Sequence, residues 1–150
     1  IIPSMQPSHC TSDMRWMKDR IGDHRTHRIS RWKTFADLGL PVPGGSDCPI
    51  EDGNPLFEYY AAITRTDHDG FPEGGWHPDE ILDRMSALKM FTTWAAYGEF
   101  SENQRGIIET GFDADFTVLN NDITSCQPDE ILSTEVMMTI VGGKVVHSKL

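Results

Sequence analysis

Two short extended stretches, each leading toward a helical pattern, constrain the fold of this chain more than any other feature. "IIPSMQPSH" is strand-like, interrupted by Pro3 and ended at Pro7. "SDMRWMKDRIG" then carries Met14, Met17 and Ile21 at helical spacing, with Gly22 as a stop. A second helix is expected where Ile29, Trp32, Phe35 and Ala36 recur, closed by Gly39. Residues 40–46 form another extended run. In "EDGNPLFEYYAAITR", Asn54 is a good N-cap, Pro55 suits the first helical position, and Leu56, Tyr60 and Ile63 make a buried stripe. Strands alternating with helices specify parallel βα units.

A glycine- and proline-rich loop, "DHDGFPEGGWHPD", follows and is longer than a connection requires. "EILDRMSALKMFTTWAAYGEF" predicts a long helix with Leu82, Met85, Leu88 and Phe91 on one face. The texture changes near Glu102. "GIIETGFDADFTVLNND" and "EVMMTIVGGKVVHS" are short β-rich runs, and Gly142-Gly143 between two apolar stretches signals a β-hairpin. The expected organisation is α/β over residues 1–102 and a separate β-layer over 103–150.

In parallel α/β architectures, reactive groups collect where strands end. "PGGSDCPIED" places Asp47 at such an end. A carboxylate there can ligate a metal or act as a base, or it can cap its own turn, as aspartate readily does. His9 stands after "MQP" as Asp47 stands after its own run, and reads either as a site residue or as a satisfied strand-end histidine. His24 and His27 sit in a polar connector without a third ligand, His68 and His77 bracket the long loop, and His147 lies in the terminal hairpin. Cys10 and Cys48 each follow a candidate residue, yet neither has the base partner a thiol nucleophile needs. No nucleophile elbow, phosphate-cradling loop or dinucleotide fingerprint is present.

A formal charge of −10 repels nucleic acid and anionic membrane surfaces, so neither is expected as a partner. No apolar run approaches the ~20 residues that span a bilayer. Three widely spaced cysteines suggest neither a disulfide framework nor a zinc ribbon, and reduced thiols fit a cytoplasmic location. The chain opens on Ile1, so a signal peptide would lie upstream; export stays open, and the chain reads as the tail of a longer protein.

Five motifs in register carry a family resemblance: "QPSHCTSDMRW", "GGSDCPIEDGNPLFEYYAAITR", "GGWHPDEIL", "GIIETGFDADFTVLNND" and "TIVGGKVVH". Together they resemble the C-terminal third of a metal-dependent amidohydrolase of family 3, the group that includes N-substituted formamide deformylases and D-aminoacylases. The resemblance implies the last two βα units of a (β/α)8 TIM-like barrel, followed by part of a small composite β-sandwich. It makes Asp47, at the end of the eighth strand, a metal ligand or neighbour and the proton-shuttling base. It places Gln6 and His9 of the seventh strand toward substrate and gives Arg65 a polar or anionic substrate group to hold. The long loop would then border the mouth of the site, with Trp76 as an apolar wall, or else be a solvated excursion with Trp76 tucked under it. The implied cofactor is a divalent metal, zinc first, and the implied substrate a small amide-type molecule.

The departures are specific. No His-x-His pair occurs, Pro43 falls in a strand that should be central, and Phe112 stands where the family usually has a basic residue. The remaining metal ligands would precede Ile1, and the chain by itself is expected to be inactive. The rival expectation is a non-catalytic amidohydrolase-like binding protein, separable by whether His-x-His lies upstream.

Overall fold

The computed structural model describes residues 1–150. The two extended runs lie side by side and parallel, but they join through a single bridge between Met5 and Gly44 rather than a ladder. Met5 N–H donates to Pro43 O at 2.9 Å, and Gly45 N–H donates to Met5 O at 3.1 Å. Prolines at 3, 7, 41 and 43 explain why pairing stops there, since each removes a ladder donor. The expected seventh and eighth strands are thus reduced to one bridged step. Gly44 is fixed by close approach: a Cβ there would stand 2.7 Å from the Phe91 ring.

Helix α1 spans Pro7–Ile21, so it begins earlier than its periodicity suggested and takes His9 out of the strand and into its first turn. The reason is Pro7, which sits at N1 where its fixed φ and missing N–H cost nothing. A 3₁₀ turn over Asp23–Arg28 leads to α2, Trp32–Asp37. Gly39 at φ 77° ends α2 in a Schellman motif: Gly39 N–H reaches Ala36 O at 2.8 Å and Leu40 N–H reaches Phe35 O at 3.1 Å.

Helix α3, Pro55–Thr64, starts as read from sequence, with the Asn54 side chain accepting from Leu56 N–H at 3.0 Å. It is the axis of the helical layer, burying Tyr59, Ala61 and Ala62 as well as Leu56 and Tyr60. The expected single helix after residue 80 is two pieces, α4 (Arg84–Met90) and α5 (Thr93–Gly98). Asp83 caps α4 by accepting from Ser86 N–H, so Leu82 precedes the helix and the phase of its buried face changes. Leu82, Ala87 and Met90 are buried, while Met85 is 54% exposed.

The tail forms an antiparallel sheet in the order β1 (Phe116–Leu119), β2 (Val136–Val141), β3 (Lys144–Ser148). Gly142 and Gly143, both at positive φ, make the expected hairpin turn. Between β1 and β2, α6 (Pro128–Leu132) leaves the sheet and packs on α3, burying Ile131 in the helical core. That core gathers Cys10, Trp32, Val42, Tyr59, Met90 and Ile131 among others. Only 24 of 150 residues are buried, a small interior for this length. Ile108, Val145 and Val146 stay exposed. No helix is long and apolar enough to cross a membrane.

Candidate active site

Three residues beyond the bridge, Asp47 opens a turn in which its carbonyl accepts from Ile50 N–H at 2.9 Å. Its φ of 55° lies in the left-handed region, which aspartate tolerates better than most residues. The side chain is exposed, and no hydrogen bond or ion pair within the chain engages its carboxylate. The turn-capping alternative, in which the carboxylate bonds its own backbone, is therefore not what the structure adopts.

The end of the other run lies beside it. Gln6 is the N-cap of α1, and its side chain makes no capping bond. His9 occupies the first turn, with Nε2 buried and without a partner. Two contacts tie this turn to the segment after Asp47: Ser12 Oγ donates to Glu51 Oε1, and Ser8 N–H donates to Glu58 Oε2 at 2.8 Å. Burial pushes the Asp13 carboxyl up, with His9 opposing and Glu51 adding to the rise. Burial likewise pushes Glu58 up, against the Ser8 hydrogen bonds and His9. The parallel bridge puts Asp47, Gln6 and His9 beyond the same end of the two runs, with Asp13 and Glu58 close to the imidazole and Glu51 beside Ser12.

Arg65 and Trp76 are not with them. Arg65 is the C-cap of α3, in left-handed conformation at φ 56°, and is completely buried. Its Nε donates to Trp76 O and its Nη1 to Ser30 O at 2.9 Å; the guanidinium lies 4.2 Å from the centroid of Trp32 and 5.9 Å from that of Trp76. Burial lowers its pKa. The guanidinium is thus enclosed by two carbonyls and two indole rings, and its Nη2 is buried without a partner. Trp76 is half-buried against Arg65 and His77, not a free wall.

The long loop is fastened rather than open. Asp67 accepts from the N–H groups of Asp69 and Phe71 and from Arg15 of α1, while His77 Nε2 meets Thr26 Oγ1 at 3.2 Å. These contacts run toward the C-terminal end of α3, whereas Asp47 precedes its N-terminal end.

The histidines resolve into ordinary surroundings. His24 and His27 are exposed, His68 packs on Phe57 at 4.4 Å, and His147 Nε2 lies 3.3 Å from Val136 O. No three His, Cys, Asp or Glu residues are grouped to hold a metal ion. The carboxylate of Asp47 is left unengaged by the chain. Sequence reading missed Glu58. A lone carboxylate inside the apolar run "LFEYYAAI" was the available signal, because burying it demands a partner.

The chain is α/β with a small antiparallel sheet, and a free carboxylate follows its second extended run. The solved structure of an uncharacterized metal-dependent hydrolase from Pyrococcus horikoshii OT3 matches it with a TM-score of 0.74 and 26% identity, over 85% of this chain and 26% of that one. The sequence model of the amidohydrolase family matches residues 1–147. The chain belongs to the amidohydrolase family.

Putative amidohydrolase YtcJ of Bacillus subtilis (strain 168) is 34% identical over 145 residues, covering 97% of this chain and 27% of that protein. The N-substituted formamide deformylase of Arthrobacter pascens is 28% identical over 129 residues, 85% of this chain and 23% of that enzyme. The chain thus spans about a quarter of the length of these relatives.

Proposed function

We propose that this chain is the C-terminal part of a metal-dependent hydrolase of non-peptide C–N bonds, such as those of amides or formamides. The observation that carries the reading is the Asp47 carboxylate, exposed and unengaged between the second extended run and α3 in a chain of this family. Asp47 has two roles, and different carboxylate oxygens serve them: one ligates, the other accepts a proton from water and passes it to the leaving nitrogen. A divalent metal, zinc in the first instance, supplies a water of pKa about 7 and a polarised carbonyl when bound. The remaining ligands come from residues outside this chain, as do the other strands of a (β/α)8 barrel. Gln6 and His9, at the same end as Asp47, face the small-molecule substrate.

The isolated chain is inactive on this reading. Zinc titration of the purified 150-residue chain, followed by calorimetry, should show no tight stoichiometric site. In the intact protein, chelator should abolish hydrolysis of an N-alkylformamide or N-acyl amino acid, and added zinc should restore it. One tightly held zinc in the isolated chain, or full activity of the chelated intact protein, would contradict the reading.

A further inference from the structure

Glu58 is 1% exposed, in the middle of an otherwise apolar helix, and one of its oxygens has no partner. A leucine or methionine would fill that volume without leaving a buried oxygen unsatisfied, so packing alone does not account for a carboxylate. What the carboxylate does is visible on its other oxygen, which accepts from Ser8 N–H at 2.8 Å. Ser8 lies in the first turn of α1, where free amide donors need acceptors. That turn has no capping of its own: the Gln6 side chain makes no cap bond and no acidic residue stands in the first turn. Glu58 therefore caps α1 from α3 through this acceptor oxygen. His9 is the next residue after Ser8, its Nε2 is also buried and unpartnered, and its charge is felt by both Asp13 and Glu58.

The two helices follow the two runs that end at Gln6 and Asp47. We propose that Glu58 is a positioning residue that locks the first turn of α1 onto α3 and so holds Gln6 and His9 in register with Asp47. The inference rests on the reading of this end as the active site. Glu58 touches no reacting atom; it acts through the backbone of Ser8 and the ring it carries next door.

The test uses the intact protein with Glu58→Ala, Glu58→Gln and Glu58→Asp. Glutamine keeps an acceptor at the same reach, alanine removes it, and aspartate keeps the charge one methylene short. The first readout is hydrogen exchange at the Ser8 amide by NMR of serine-labelled protein. The second is kcat and KM for an N-alkylformamide with zinc saturating, well below the melting temperature of every variant. Ser8 protection and kcat should both fall about 10-fold or more in Glu58→Ala and Glu58→Asp, because displacing an oriented group by an ångström costs up to ~100-fold. Glu58→Gln should restore both to within about threefold. If Glu58→Ala does not fold, the aspartate and glutamine pair decides the matter.

Unchanged Ser8 exchange in the variants that fold would overturn the anchoring. Lost protection with unchanged kcat and KM would overturn the positioning role and leave Glu58 a purely structural cap. Wild-type protein that hydrolyses no amide under these conditions would instead contradict the functional reading, and Ser8 exchange would then judge the anchoring by itself.

Discussion

Replacing Arg65 with methionine keeps most of the buried volume and removes everything the guanidinium holds. Two backbone carbonyls, Trp76 O and Ser30 O, would lose their donor in a partly buried place. Each such loss costs about 1–3 kcal/mol. Contact with the Trp32 face at 4.2 Å is worth up to about 2 kcal/mol when desolvated. Against this stands the relief of no longer burying a charge, whose cost shows in the lowered pKa of Arg65. The balance is a net loss of about 3 kcal/mol, within the range of buried network mutations. For a unit of this size, each kcal/mol lowers the melting temperature by about 2–4 °C, so Arg65→Met should melt roughly 6–12 °C lower. Arg65→Lys should recover only part of the loss, because an ammonium cannot reach both carbonyls with a planar fork. Thermal unfolding followed by near-UV circular dichroism would also report the displaced Trp32. A variant that melted within about 2 °C of wild type, with KM raised for anionic substrates only, would refute the clamp and return Arg65 to substrate binding.

At Gly44, an alanine Cβ would come within 2.7 Å of the Phe91 ring and 3.0 Å of the Met90 Cβ. Gly44→Ala should lose about 1–3 kcal/mol in urea unfolding, and pairing it with Phe91→Leu should cost less than the two single changes added; strict additivity would exclude the contact as the cause. Acid should loosen the chain through two carboxylates held below their ordinary value of 3.8. At Asp83 the cause is the Ser86 hydroxyl and amide; at Asp67 burial pulls upward, but the Phe71 amide, Arg15 and the Asp69 amide outweigh it. A depressed carboxyl stabilises above its unfolded pKa and loses that contribution as pH falls through its folded value. Stability lost between about pH 5 and the folded values should therefore shrink in Asp67→Asn/Asp83→Asn. An unaltered acid limb in the urea midpoint would exclude both.

Local rules carried the parts of this fold that local chemistry decides. Asn54-Pro55 starts a helix wherever the chain needs one, Gly39 can take the left-handed position a Schellman motif requires, and Gly142-Gly143 turns a hairpin. Periodicity failed where a cap reset it: Pro7 pulled α1 forward over His9, and Asp83 moved the start of α4, so Met85 faces out. Strand pairing was over-read because the pattern counted apolar residues and not the donors that proline deletes. Pattern alone left Asp47 open between a turn cap and a site residue; the structure leaves its carboxylate unengaged. Which carbonyls Arg65 bonds was not legible, because a motif tells that an arginine is required without telling what it bonds. Glu58 was invisible for the opposite reason: its partner is a backbone amide fifty residues away, and no spacing rule connects them.

Asp47→Asn in the intact, zinc-loaded protein is the most direct test of the central claim. Asparagine keeps the size and an oxygen that can ligate, and it removes the group that accepts the proton. General base catalysis is worth about 10²–10⁴-fold, so kcat on an amide or formamide substrate should fall by that factor, while the melting temperature stays within about 1–2 °C of wild type because the asparagine oxygen still ligates. Turnover within about threefold of wild type would contradict the assignment of Asp47 as the base.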